Sequence, residues 1–121
     1  MKPNWIAIGA IFGALAVIFG AFGAHLLSDR LDARALDNWK TGVLYHALHA
    51  IALVMLGLHG RSARAAGWSF VGGIVLFSGS LYGMSLGGPR WLGMITPVGG
   101  VLFISGWVLF ALAARARPTS E

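Results

Sequence analysis

Between Asp37 and the terminal Glu121 this chain holds no carboxylate, and before Asp29 it holds none either. Its acids are Asp29, Asp32, Asp37 and Glu121, so nearly the whole length is closed to the acid–base pairs that cover a soluble surface. With 57% apolar residues, 11% charged residues and a mean hydropathy of +0.76 over 121 residues, the chain belongs in lipid. It has room for a single membrane domain, 1–121.

About 30 Å of hydrocarbon is spanned by about 20 helical residues. Four stretches meet that length: 5–27, 39–59, 65–86 and 91–114. The runs are long and lack the period-two alternation that a lipid-facing barrel requires, so helices are the only spanning structure open to them. The first run follows Lys2 and ends among small residues, as a signal peptide does. It is too long for a signal core of about 7–15 residues and reads as a retained span. Trp5, Trp39, Trp68 and Trp91 each stand near the start of a span, where an indole ring is expected to mark headgroup depth.

Short connections make consecutive helices antiparallel neighbours, which gives an all-α integral membrane protein built as an antiparallel four-helix bundle. The longest connection, 28–38, carries Leu31, Ala35 and Leu36 among Asp29, Arg30, Asp32, Arg34 and Asp37. That spacing predicts a short amphipathic segment on the membrane surface, running into span two. Lys2, Arg61, Arg64, Arg115 and Arg117 share one face of the bilayer, against Arg30, Arg34, Lys40 and Arg90 on the other. The excess places both termini in the cytoplasm.

In span four, Thr96-Pro97 leaves two readings open: a kink within the helix, or a helix that starts there with Thr96 as its N-cap and Pro97 at the first position. Gly9, Gly13, Ala16, Gly20 and Gly23 recur at helical spacing in span one, as do Gly72, Gly79 and Gly83 in span three. Small residues let helix backbones approach within lipid, so these stripes read as packing faces, within the chain or between copies.

The remaining polar residues collect on one side. His25 ends span one, and Thr41, Tyr45, His46 and His49 occupy the start and middle of span two. Ser78, Ser80, Tyr82 and Ser85 fill the second half of span three, while Arg90 and Thr96 flank the start of span four. Because the helices alternate in direction, all fall in one half of the bilayer or near its midplane. Polar groups are costly there unless they pair or line a cavity. The candidate ligand site is therefore His25, Tyr45, His46, His49, Ser78, Ser80, Tyr82, Arg90 and Thr96. Its alternative reading is structural, with the histidines and serines bonded to neighbouring helices. A metal site at His46 and His49 needs a third ligand, for which His25, or Met84 or Met94 for copper, is nearest. Haem needs axial histidines on opposing faces, which one helical turn does not offer.

Several classes are excluded by what is missing. The basic residues form no stripe for nucleic acid. Without cysteine, disulfides and thiolate chemistry are ruled out. No intramembrane carboxylate is present for proton-coupled cation export or a Ser-His-Asp arrangement, and no phosphate-binding glycine loop or dinucleotide fingerprint occurs. The expectation is a non-enzymatic protein with no cofactor and no resident metal. It acts by helix association, as a homo-oligomer or as a partner in a larger membrane complex. The alternative is binding or permeation of a small molecule, lipid or proton through the polar cluster.

Four ordered motifs also carry a resemblance: Gly20-Ala-Phe-Gly-Ala-His25, Thr41-Gly-Val-Leu-Tyr-His-Ala-Leu-His49, Leu76-Phe-Ser-Gly-Ser-Leu-Tyr82, and Arg90-Trp-Leu-Gly-Met-Ile-Thr-Pro-Val-Gly-Gly100. Over nearly its whole length the chain resembles the membrane family catalogued as domain of unknown function 423, which includes transmembrane protein 256. The resemblance implies a small multi-pass protein of bacterial inner membranes with mitochondrial relatives. It carries over no activity and no catalytic residue.

Overall fold

The computed structural model describes residues 2–60 and 63–115. Among these, four helices are long and apolar enough to cross a membrane: α1 (Trp5–Leu27), α2 (Ala33–His59), α3 (Arg64–Ser85) and α4 (Leu92–Arg115). They match the spans expected from the sequence, with one extension. Of the basic residues used to set orientation, Arg61 and Arg117 lie outside the described residues.

The extension is at α2, which starts at Ala33. The Asp32 side chain accepts the Ala35 N–H at 2.8 Å and so caps the helix. No proline or glycine interrupts the next two turns, and the expected surface segment becomes the first turns of α2 itself. Twenty-seven residues make a helix of about 40 Å. That exceeds the hydrocarbon thickness, so the end bearing Arg34, Asp37 and Asn38 projects into the headgroup layer. At the other end Gly60 closes α2 with φ 78°, a conformation that favours glycine. Asn4 caps α1 by accepting the Ala7 N–H.

In α4 the helix runs through Pro97 from Leu92, which settles the start of span four in favour of a continuous helix. The Thr96 hydroxyl donates back to the Leu92 carbonyl at 3.4 Å instead of capping. The carbonyl that Pro97 would crowd, four residues earlier, belongs to Gly93.

Two turns are π-helical: Gly23–Leu27 at the end of α1 and Ile74–Ser78 in the middle of α3. Each falls where a neighbouring helix comes close. Beside the first, the indole N–H of Trp39 donates to the Phe19 carbonyl at 2.9 Å. Against the second lies Gly99 of α4, where an added Cβ would come 2.3 Å from the Phe77 backbone nitrogen.

The helices lie in the order α1, α2, α3, α4. The outer pair, α1 and α4, share no substantial interface. Burial follows this order: 17% of the apolar window of α1 and of α4 is buried, against 39% in α2 and 44% in α3. Glycines set the contacts, as the stripes led one to expect. Gly9 lies against the α2 backbone at Ala50 and Val54, Gly57 against Ile6, Gly73 under the Phe103 ring, and Gly106 under the Phe70 ring. Gly13 and Gly79 are different, since nothing lies within 4 Å of where their Cβ would be. The tryptophans divide likewise. Trp68 and Trp91 are exposed, but Trp5 and Trp39 are buried, Trp5 lying over Gly67 and Trp39 packing against Tyr82. These two rings join helices and do not mark depth.

Candidate functional site

The polar residues divide into internal clamps and one cavity. His49 is 2% exposed, and its Nδ1 lies 2.7 Å from the Tyr45 carbonyl, one turn earlier on α2. A carbonyl only accepts, so Nδ1 carries the proton and Nε2 is the acceptor. Nε2 receives the indole N–H of Trp107 from α4 at 3.0 Å. The ring also stacks on Phe103 with centroids 3.6 Å apart. Both nitrogens are occupied, and no lone pair remains for a metal.

His46, one turn away, faces other neighbours. Its Nδ1 pairs with the Tyr82 hydroxyl of α3 at 2.9 Å, among Phe12 and Phe19 of α1. Its Nε2 is buried beside the Phe12 backbone and closes no hydrogen bond of ordinary geometry. The two histidines therefore serve different interfaces. His25 is exposed on the last turn of α1 and does not join them. Among the described residues, no three metal-ligating side chains come together. Tyr45 is 38% exposed, its ring packed on Phe77.

The serines are clamps too. Ser78 donates to the Gly42 carbonyl at 2.7 Å, where the absent glycine side chain admits both that serine and the Tyr82 ring. Ser80 and Thr96 share a hydrogen bond that ties α3 to α4. Ser85, at the end of α3, reaches the Ala35 carbonyl in the first turn of α2 at 2.9 Å.

Beyond those last two clamps lies a cavity of about 740 Å³, open at the face that carries the α1–α2 and α3–α4 connections. Arg34 and Asn38 line it from α2, Met84 and Gly88 from α3 and the turn after it, and Arg90 and Gly93 from the start of α4. The turn is tight: Gly87 has φ 93°, and the Gly88 N–H donates to the Gly83 carbonyl at 2.8 Å. The one lining acid, Asp32, is the N-cap of α2. Among the described residues, neither Arg34 nor Arg90 makes an ion pair or a side-chain hydrogen bond. Two arginines, an amide and a glycine-lined floor thus face one space, the chemistry of a site for an anionic headgroup.

Of the nine residues of the candidate ligand site, only Arg90 lines this cavity. Arg34, Asn38, Met84 and Gly93 were not grouped with it. Their one shared signal is the charge tally, in which Arg34 and Arg90 fall on the same face with few acids to pair them.

Comparison with known proteins gives the family of the chain. Residues 19–100 match the family described as protein of unknown function DUF423. The UPF0382 membrane protein YwdK of Bacillus subtilis is 47% identical over 91% of this chain and 94% of its own length. A UPF0382 membrane protein of Haemophilus influenzae is 39% identical over 92% of this chain and 93% of its own. The inner membrane protein YgdD of Escherichia coli is 40% identical over 90% of this chain and 87% of its own. No solved structure matches. The chain is a multi-pass membrane protein, and it belongs to the DUF423 family.

Proposed function

We propose that this protein is a non-enzymatic binding protein of the inner membrane that holds a small amphiphile in the cavity between α2, α3 and α4. With both termini in the cytoplasm, the cavity opens in the outward leaflet. The observation that carries this reading is the division of polar groups. His46, His49, Ser78, Ser80, Tyr82 and Thr96 are engaged across helix interfaces, while the side chains of Arg34, Asn38 and Arg90 are turned to one open space. The space is an open cleft in which Arg34, Asn38, Arg90 and Asp32 supply the polar lining and Ala35, Met84, Gly88 and Gly93 the rest.

The test is native mass spectrometry of the protein extracted gently from its own membrane, beside a Gly93→Trp variant. Gly93 lies 3.5 Å, at its Cβ position, from the Met84 sulfur, so an indole there fills the space. The reading expects a bound amphiphile on the native protein and its loss from the variant. Equal retention by both, or none on either, refutes it.

Helix association is a second reading, and Gly13 and Gly79 favour it. The other stripe glycines have partners within the chain or lie close to a neighbour, whereas these two leave lipid-side surface free for close approach by another helix. Crosslinking in native membranes, with Gly13→Leu and Gly79→Leu as variants, tests it. Loss of a crosslinked dimer is the supporting result.

A further inference from the structure

We infer that the cavity between α2, α3 and α4 selects a phosphate group, held from opposite walls by Arg34 and Arg90. The inference rests on the binding reading above and names the chemistry of its ligand. The walls are far apart in sequence: Arg34 is in the first turn of α2, and Arg90 is in the turn that enters α4. Two cations and one carboxylate line the space, and that carboxylate, Asp32, accepts the Ala35 N–H. An anion seated in this space is attracted by both guanidiniums.

The geometry distinguishes among anions. A carboxylate offers two oxygens in a plane, and one arginine fork satisfies it. A phosphate presents oxygens tetrahedrally and can be gripped from two sides at once, with the Asn38 amide as a further donor. Around the polar walls, Met84, Ala35 and Gly93 give an apolar surface suited to the start of an acyl or isoprenoid chain. The phosphate can come from a lipid headgroup or from solution, and the experiment separates the two.

The full chain in detergent is titrated separately with phosphatidylglycerol, oleate and inorganic phosphate, with bound species counted by native mass spectrometry. Four variants accompany it: Arg34→Gln, Arg90→Gln, Arg30→Gln and Gly93→Trp. Arg30 is an exposed arginine of the same connection that does not line the cavity, so it controls for general attraction by charge. The inference expects at least about a tenfold preference for phosphatidylglycerol over oleate, whose carboxylate one arginine fork satisfies. It expects about a tenfold loss in each of Arg34→Gln and Arg90→Gln, and none in Arg30→Gln. A fifth variant, Arg34→Lys, keeps the charge and loses the fork, and its loss should lie between. Saturation by inorganic phosphate with displacement of the lipid supports the same chemistry and assigns the source to solution. Binding abolished by Gly93→Trp but indifferent to Arg34→Gln and Arg90→Gln overturns the phosphate inference and leaves the cavity reading standing. Indifference to all four variants overturns both, and an equal effect of Arg30→Gln reduces the preference to surface charge and overturns the inference.

Discussion

Trp107 of α4 donates its indole N–H to Nε2 of His49 on α2 at 3.0 Å, joining two helices that each pack mainly on others. Because the Tyr45 carbonyl takes the proton on Nδ1, the imidazole is used on both sides and becomes a bridge across the core. Trp107→Phe keeps most of the ring contact with Phe70 and removes the donor. The expected cost is about 1 kcal/mol, in keeping with hydrogen bonds measured inside membranes and with the penalty for a buried unpaired nitrogen. Unfolding by a denaturing detergent, followed by circular dichroism, reads that shift.

His46 gives a prediction in two steps. Its Nδ1 has Tyr82 and its Nε2 has no partner, so the pair is an incompletely satisfied polar unit. Tyr82→Phe alone should destabilise the protein by about 1 kcal/mol, because it leaves His46 with no side-chain partner. Adding His46→Leu removes both polar groups and should recover most of the loss. A double-mutant cycle on the same unfolding assay measures the coupling.

The glycines are separable by sign. At Gly99 an added Cβ would come 2.3 Å from the Phe77 backbone nitrogen, and the helices must separate to admit it. Gly99→Ala should lower stability by about 2 kcal/mol or more, as overpacking does. Gly13→Ala meets nothing and should be neutral or stabilising by up to about 1 kcal/mol, since alanine is the better helix former.

The chain has no cysteine, so single cysteines report topology without background. Ser28→Cys and Pro89→Cys lie on the connections beside the cavity, and both should react in intact cells with a maleimide that does not cross the membrane. Asn4→Cys should react only after the membrane is permeabilised. The reverse pattern places the cavity in the cytoplasmic leaflet.

Much of the fold was legible because it follows from length and hydropathy. The α1 and α3 spans lie within one residue of the expected 5–27 and 65–86. Only the start of α2 moved, since an Asp32 cap and an unbroken run of helix formers outweigh the polarity of 33–38. The site was less legible. Helical spacing places His46 and His49 on one face, but two residues three apart differ by about 60° around the axis. In a core with helices on both sides, that angle is enough to send one to Tyr82 and the other to Trp107. Trp5 and Trp39 misled for a similar reason: an indole near a span's start can also be the ring that covers Gly67 or donates to the Phe19 carbonyl. The tight turn at Gly87-Gly88-Pro89 is written in the sequence, but Ser85 reaching Ala35 is a tertiary contact that no local pattern encodes.

The most direct test of the account is an experimental structure of the protein in a lipid bilayer, inspected at the cavity and at the two histidines. The account predicts non-protein density in contact with Arg34, Asn38 and Arg90, with His46 closed on Tyr82 and His49 closed on Trp107. Density seated instead beside His46 or His49, with the arginines turned away into solvent, would contradict it.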